Sequence, residues 1–523
     1  MSQIGHRIFR PGLAVVALVA AAAVVVSIFT LGSADQPGAP PRPTASFAPP
    51  PIPPIPPKST NPGAYPTLAT RAIQMLETDF YNGTGEWHMC VPKQPCNTKN
   101  RDWGADALTN TLAFRWKLTR DRTVLPLVQR LIQTSHSYAP NQPGSSDTAM
   151  WDAVADAREY QVTGSKLALH KAEAAFTWLT SPQQAGFATG ACPSVDYQWT
   201  DRQRGDLKTL ETGSNYVKAA ILLYEATDKR AYLADARREY AISRKYFLST
   251  SVPLYTTYIV DNGVTCHRLP GHYFASVNGN MIWSGAELAR LTGRRTYRTQ
   301  AIATARAVAT HLNDSAGVFA DLQADNDIVE PLIEAMYKLA ATDHQRFARR
   351  WLLTAASAAG ADMTPAGAFG RFFDGPPPTG MVTAWQTSGG VALMQAAAAL
   401  DFTGAPAHPG FWRHATFVRQ TRKLTGPKLT ITFTGRAIAL IGTIGAHCCS
   451  LGHARVLVDG VRTFNRTGIW QNRSSPSVKQ PGQVLFAWRW RTAGRHTITI
   501  LPASYNQIEG GSFFAMTGYL VVR

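Results

Sequence analysis

Asp147 is the residue in this chain best placed to do chemistry. It stands in Gly144-Ser145-Ser146-Asp147-Thr148-Ala149-Met150-Trp151-Asp152, in the first turn of a predicted helix and behind a serine suited to cap it. A carboxyl group at such a place can serve simply as a charge that complements the helix dipole. Facing a second carboxyl, it can instead be the acid that cleaves a glycosidic bond, with a separation of about 5 to 5.5 Å for retention or about 6.5 to 9.5 Å for inversion. Glu211 opens the next helix of the same kind and is the preferred partner, because adjoining helix starts bring their first turns together. Asp102, at the helix start on the other side, is the next choice. Asp106, Asp196, Asp201, Asp206, Asp327, Glu330 and Asp374 fall in comparable segments, while Asp152 and Asp156 lie deeper along the Asp147 helix and read as buried polar contacts.

Aromatic residues crowd the segments that carry these acids: Trp103, Tyr197, Trp199, Tyr255, Tyr258, His272, Tyr273, Phe372, Phe373 and Trp385. Rings of this kind stack on the apolar faces of sugars, and the set suggests a sugar-lined cleft. The sequence holds no nucleotide-binding loop, no Ser-His-Asp arrangement in order and no cluster with metal-ligand spacing, so neither a cofactor nor a metal is expected.

These side chains must be held by helices. A short turn recurs as Leu118-Thr119-Arg120-Asp121, Val162-Thr163-Gly164-Ser165, Ala226-Thr227-Asp228-Lys229, Leu291-Thr292-Gly293-Arg294 and Ala341-Thr342-Asp343-His344, at intervals of 44, 64, 65 and 50 residues. Each turn joins an apolar helix to an amphipathic one, so the repeat is a helical hairpin. Inner helices are predicted at about 103 to 118, 147 to 162, 211 to 226, 275 to 291, 327 to 341 and 386 to 402. A helix at about 64 to 81 partners the last of them and closes a ring. The expected fold is mainly α: an (α/α)6 toroid of six helical hairpins over residues 63 to 403. Its short turns and long loops alternate, and the long loops all lead into inner-helix N-termini, which locates the working face there.

From residue 405 the apolar period changes to two, as in Lys428 to Thr434, Ala437 to Gly442, Ala454 to Asp459, Val484 to Trp488, His496 to Ile500 and Met516 to Val522. Asp459-Gly460 is a hairpin signal. Residues 405 to 523 are therefore expected to form an antiparallel β-sandwich, with Trp470, Trp488 and Trp490 available for stacking on glycan. This segment holds 15 Lys and Arg against two acids, so it contributes +13 of the chain's net +18. Such a charge suits an anionic wall polymer or lipid surface as partner. Nucleic acid is not expected as a partner, because the N-terminus reads as an export signal and no recognition helix or stacking motif is evident.

That N-terminus, residues 1 to 34, combines Arg7 and Arg10 with an apolar run from Leu13 to Leu31, which reads as a signal peptide or a membrane anchor. Twelve prolines between Gln36 and Pro62 make residues 35 to 62 a semi-rigid spacer. In an exported protein the six cysteines favour disulfides: Cys90 with Cys96, Cys192 with Cys266, and the adjacent Cys448 and Cys449 only as a strained bridge. The chain is expected to be monomeric.

The stretch from Ser146 to Ala172, with Trp151, Ala155, Tyr160 and Thr163-Gly164, resembles a segment of glycoside hydrolase family 76, the endo-α-1,6-mannanases. Ser214-Asn215 followed by Tyr224 and Thr227, and Tyr273 to Tyr297 with Asn278, Gly279 and Thr292-Gly293, resemble two further segments of that family. The likeness extends over most of residues 65 to 400, and the string from Phe433 to Gly460 resembles the jelly-roll carbohydrate-binding modules of bacterial glycosidases. It implies a hydrolase of an α-linked, mannose-containing envelope polysaccharide, with Trp151, Asn215, Tyr273 and Asn278 of the resembling segments at the substrate beside the loop aromatics Trp103, Trp199 and Trp385. In that family two consecutive aspartates stand where this chain has Ser146-Asp147, so only the acid/base role carries over, to Asp147. Three readings follow: another acid on the same face supplies the second carboxyl, a more distant base serves an inverting reaction, or the site binds glycan without cutting it. A lyase or unsaturated-glycan hydrolase on the same toroid would instead need a cationic pocket around Arg268, His272 or Arg371.

Overall fold

Four of the helical hairpins close on the same hydrogen-bonded device. In the first four turns the threonine hydroxyl donates back to the carbonyl four residues earlier and accepts from the amide two residues later, as Thr163 does with the Glu159 oxygen and the Ser165 N–H. Thr119, Thr227 and Thr292 repeat the pattern. The next residue turns into the left-handed region and its amide caps the helix: Arg120, Gly164, Asp228 and Gly293 have φ of 58°, 72°, 56° and 70°. In the fifth turn the positive φ falls one residue later, on His344, at 53°.

The computed structural model describes residues 64–81, 90–91, 103–131, 138, 145–181, 190–193, 195, 207–320, 328–400, 406, 408–423, 427–444, 453–464, 469–470, 480–502 and 514–523. The expectations for residues 1 to 63, for Cys96, Cys448 and Cys449, and for Asp102 and Trp199 lie outside them.

The inner helices are α2 (Trp103–Thr119), α4 (Ser146–Thr163), α6 (Leu210–Thr227), α8 (Ala275–Thr292), α10 (Glu330–Ala341) and α12 (Ala384–Leu400). Each packs on the next, and α12 packs on α2, so the ring is closed. Outside them lie α1 (Ala64–Met75), α3 (Leu125–Leu131), α5 (Lys166–Leu179), α7 (Arg230–Phe247), α9 (Arg295–His311) and α11 (Arg346–Ala361). α1 packs against α12, as ring closure demands. The backbones come close: a Cβ on Gly279 of α8 would sit 2.3 Å from the Leu332 nitrogen of α10. No helix among the described residues is long and apolar enough to cross a membrane.

Two small sheets, read from sequence only as loops, stiffen the long connections. β1 (Cys90–Val91) pairs with β5 (Val382–Thr383), and β2 (Leu207–Thr209), β3 (Tyr258–Asp261) and β4 (Cys266–Arg268) form an antiparallel meander. The Cys192–Cys266 disulfide ties this meander to the preceding loop, as the sequence suggested. Beside it Lys208 pairs with Asp261 at 2.9 Å. Despite burial, Lys208 and the backbone N–H groups of Ala191, Cys192 and Gly263 hold the Asp261 carboxyl down to about 2. Cys90 is also disulfide-bonded.

After the ring come β6 (Thr416–Lys423), β7 (Leu429–Ile444), β8 (His453–Val458), β9 (Val461–Arg462), β10 (Ile469–Trp470), β11 (Gln480–Pro502) and β12 (Ala515–Val522). They form one antiparallel sheet in the order β10-β8-β11-β7-β12-β6, with β9 beside β8. The Asp459-Gly460 hairpin is present, both residues at positive φ. Ring and sheet belong to one compact unit. Ala320 and Phe372 of the ring pack into the sheet core, which explains why Ala437 to Leu440 and Val484 to Trp490 are buried as continuous runs instead of alternating.

Arg489 of β11 anchors the junction. Its side chain donates to the Asp374 carbonyl at 2.7 Å and pairs with Asp362 at 3.0 Å, and its amide donates to Asp314 at 3.2 Å. Trp488 donates to Ser315 and Trp490 to Asp459, and both indoles are buried; the expectation that they stack on glycan therefore fails, because junction and sheet packing use their surfaces.

Candidate active site

The first turns of three consecutive inner helices meet at one end of the ring. Ser145 caps α4, its hydroxyl accepting from the Thr148 N–H, and Thr209 caps α6 in the same way through the Glu211 N–H at 3.2 Å. Ser146 Oγ lies 3.4 Å from Thr212 Oγ1, and Ser276, in the first turn of α8, donates to Glu211 Oε1 at 2.5 Å. Asp147 and Glu211, chosen from sequence as a pair, therefore stand on adjoining first turns.

Asp147 keeps some contact with solvent, but its Oδ1 is buried and has no hydrogen-bond partner among the described residues. Burial pushes the carboxyl up to about 7, which leaves a large protonated fraction at neutral pH. Ser146 is fully buried against Thr212. It has neither the chemistry nor the exposure of a carboxylate nucleophile.

A buried ionic cluster lies further along the inner helices. Glu334 of α10 receives Arg158 of α4 at 2.5 Å, Lys218 of α6 at 3.1 Å and Lys117 of α2 at 3.5 Å. Trp283 of α8 lies under the Arg158 and Lys218 cations. Against the cost of burial, these three cations hold the Glu334 carboxyl well below its usual range. Glu330, one turn earlier on α10, is different: burial raises it to about 7 even with Lys218 near, and its Oε2 has no hydrogen-bond partner among the described residues. Sequence reasoning placed Glu330 on the right face but missed the cluster. Lys218, Arg158 and Glu334, charges inside otherwise apolar helices, were the available signal.

The expected sugar contacts are mostly occupied elsewhere. Asn278 is fully buried, giving both amide hydrogens to the Tyr255 and Phe274 carbonyls and accepting from the Tyr255 N–H, so it anchors a loop. Asn215 donates to the Glu211 carbonyl and accepts from Asn280 at 2.8 Å. Trp151 is 3 % exposed and offers no open ring face. Tyr273 is 4 % exposed and packs on Phe464 of the sheet segment, ring centroids 5.2 Å apart. Trp103 and Trp385 begin α2 and α12, but their side chains lie outside the described set. Of the cations a lyase's uronate pocket would need, Arg371 is buried and donates to the Val484 carbonyl of the sheet, and Arg268 donates to the Lys245 carbonyl. Among the described residues no group of His, Cys, Asp or Glu could hold a metal ion.

No protein-family model and no curated protein matches the chain. Solved structures do. The GH76A α-1,6-mannanase of Salegentibacter sp. HEL1_6 superposes with a TM-score of 0.56 at 18 % identity, over 64 % of this chain and 99 % of that one. An inactive variant of that enzyme, with two consecutive aspartates changed to asparagine and α-1,6-mannotriose bound, gives 0.55 at 18 % identity, over 64 % and 99 %. The GH76 α-mannanase of Bacteroides thetaiotaomicron gives 0.53 at 18 % identity, over 64 % and 95 %. At these identities the likeness establishes a shared fold: the helical part of this chain has the six-hairpin architecture of the family 76 mannanases.

Proposed function

We propose that the ring is a glycoside hydrolase that cleaves an α-linked, mannose-containing polysaccharide of the cell envelope, with Asp147 as general acid. The observation that carries this reading is the Asp147 carboxyl, raised to about 7 by burial on a helix start that touches the helix start of Glu211 through Ser146 and Thr212. A carboxylic acid poised near the working pH is what protonation of a leaving glycosidic oxygen needs. Glu211, oriented by Ser276, is the partner carboxylate. The mannose assignment draws on the bound mannotriose of the fold neighbour and on the sequence resemblance.

A second reading has its own observation. The fold neighbour is inactive when two consecutive aspartates are replaced, and on the sequence resemblance the buried Ser146 of this chain stands at the first of those places. A ring that binds mannan without cutting it would fit that serine.

Reducing-end release from α-1,6-mannan by the purified protein separates the two. The hydrolase should release reducing ends, Asp147→Asn should lower turnover by about 10²-fold or more, and Glu211→Gln should also impair it. Because the acid must be protonated, activity should fall as pH rises through about 7, and this limb should vanish in Asp147→Asn. Saturable binding of mannan with no release would select the binder.

The export signal and the basic sheet complete the proposal. The run from Leu13 to Leu31 directs the chain out of the cell, and the +13 of residues 405 to 523 holds it to anionic wall or lipid surfaces. Co-sedimentation of the whole protein with envelope preparations should weaken as salt rises; binding that ignores salt would refute an electrostatic hold.

A further inference from the structure

A cavity of about 130 Å³ lies on the outer wall of the ring, between α9 and α11, and uses none of the candidate active-site residues. Arg306 enters it from α9 and Arg350 from α11, and no carboxylate lines it. The two cations are held differently. Arg306 lies over the Phe347 ring, its guanidinium carbon 4.4 Å from the centroid, so its donor fork is kept in place before any ligand arrives. The Nε of Arg350 is buried and has no hydrogen-bond partner among the described residues. Behind them Trp351 donates to Asn313 at 3.0 Å and Asn313 donates to the Ala309 carbonyl at 2.6 Å, which fixes the back wall.

A buried guanidinium N–H without an acceptor is unfavourable, and a second arginine on the same cavity adds a like charge and no acceptor. A single anion between them resolves both. A planar carboxylate matches one guanidinium fork, whereas a tetrahedral oxyanion presents oxygens to two forks arriving from different helices. We propose that this cavity binds a phosphoryl group, borne by a small soluble phosphate ester. Arg306 and Arg350 clamp it, and exposed Arg306 marks the mouth through which the rest of the ester projects.

Calorimetric titration of the full-length protein at fixed ionic strength tests this, with inorganic phosphate and mannose 1-phosphate as probes and mannose and glucuronate as controls. Both phosphates should bind saturably at one site, and the controls at least ten-fold more weakly. Arg306→Gln with Arg350→Gln should abolish binding. Arg350→Lys, which keeps charge and fold but loses the fork, should weaken it several-fold. Arg419→Gln with Arg422→Gln on β6 should leave it unchanged, which separates the cavity from the general charge of the sheet. Undiminished binding in Arg350→Lys or in a folded double glutamine variant would overturn the proposal, as would glucuronate binding equal to that of phosphate. Binding of phosphatidic acid vesicles, lost in Arg350→Lys while soluble esters do not bind, would assign the site to a lipid headgroup and refute the soluble ester.

Discussion

The two buried charge clusters of this protein are opposites. Inside the ring one carboxylate, Glu334, sits among three cations, Arg158, Lys218 and Lys117. At the junction of ring and sheet one cation, Arg489, sits among three acids, Asp314, Asp362 and Asp374. The difference lies in what each cluster can do with protons. Arg158 does not deprotonate in the accessible pH range, and Lys218 and Lys117 lose charge only by giving up a proton, so acidification leaves the ring's cations charged and Glu334 has to hold them together. The junction can shed excess charge by taking up a proton. As two carboxylates, Asp374 and Asp314 have no hydrogen to share, and neither side-chain oxygen of Asp374 has another side-chain partner among the described residues. With one proton between them they bond to each other. Burial, then Asp374, raises Asp314 well above the usual range, and burial raises Asp374 to about 7 although Arg489 opposes it.

The largest effect should come from Glu334→Ala, which leaves Arg158 and Lys218 buried without their shared acceptor. A loss of about 3–5 kcal/mol in unfolding free energy is expected, with no recovery on acidification from pH 7 to 5 in denaturant titrations. A loss that shrank on acidification would break the comparison, since none of the cations left behind can be neutralised by a proton.

Arg489→Ala should cost less, and its cost should depend on pH. At pH 5 the abandoned acids can protonate and the junction tolerates the change; above pH 8 they cannot, and the thermal melt should fall further below wild type. Equal destabilisation at both pH values would show that the acids do not respond.

Asp374→Asn isolates the titrating member. A carboxyl near 4 in the unfolded chain and about 7 in the folded one binds more protons when folded between those values, so its contribution to stability declines as pH rises from about 4 to 7 and is level above that. The asparagine variant should lose this decline while keeping the fold. An unaltered stability profile would place the titration elsewhere. As a reference, Lys229→Ala removes a solvent-exposed pair with Glu173 and should cost less than about 1 kcal/mol.

Much of the ring was legible in the sequence because its determinants are local. Helix ends fell within a few residues of the predicted ones, since the Thr-containing turns carry their own hydrogen bonds between residues two and four apart. The Asp147 and Glu211 first turns were expected to adjoin, and Ser146 touching Thr212 shows that they do. The sugar contacts were less legible. Asn215 and Asn278 share the polar, helix-start setting of a ligand contact, yet a neighbouring backbone consumes their hydrogen bonds. Composition gave no warning of that.

By itself, then, the sequence determined what periodicity and turn chemistry govern: six hairpins, a β-rich end, the Asp459-Gly460 turn and the sites where acids begin helices. Tertiary structure alone decided the ionisation of those acids and the use of the sheet. Arg158 and Glu334 meet across 176 residues and Arg489 and Asp362 across 127. Burial and charge at such contacts come from partners that no local window contains, and the energy of a charge in a protein interior depends on those partners far more than on its neighbours along the chain.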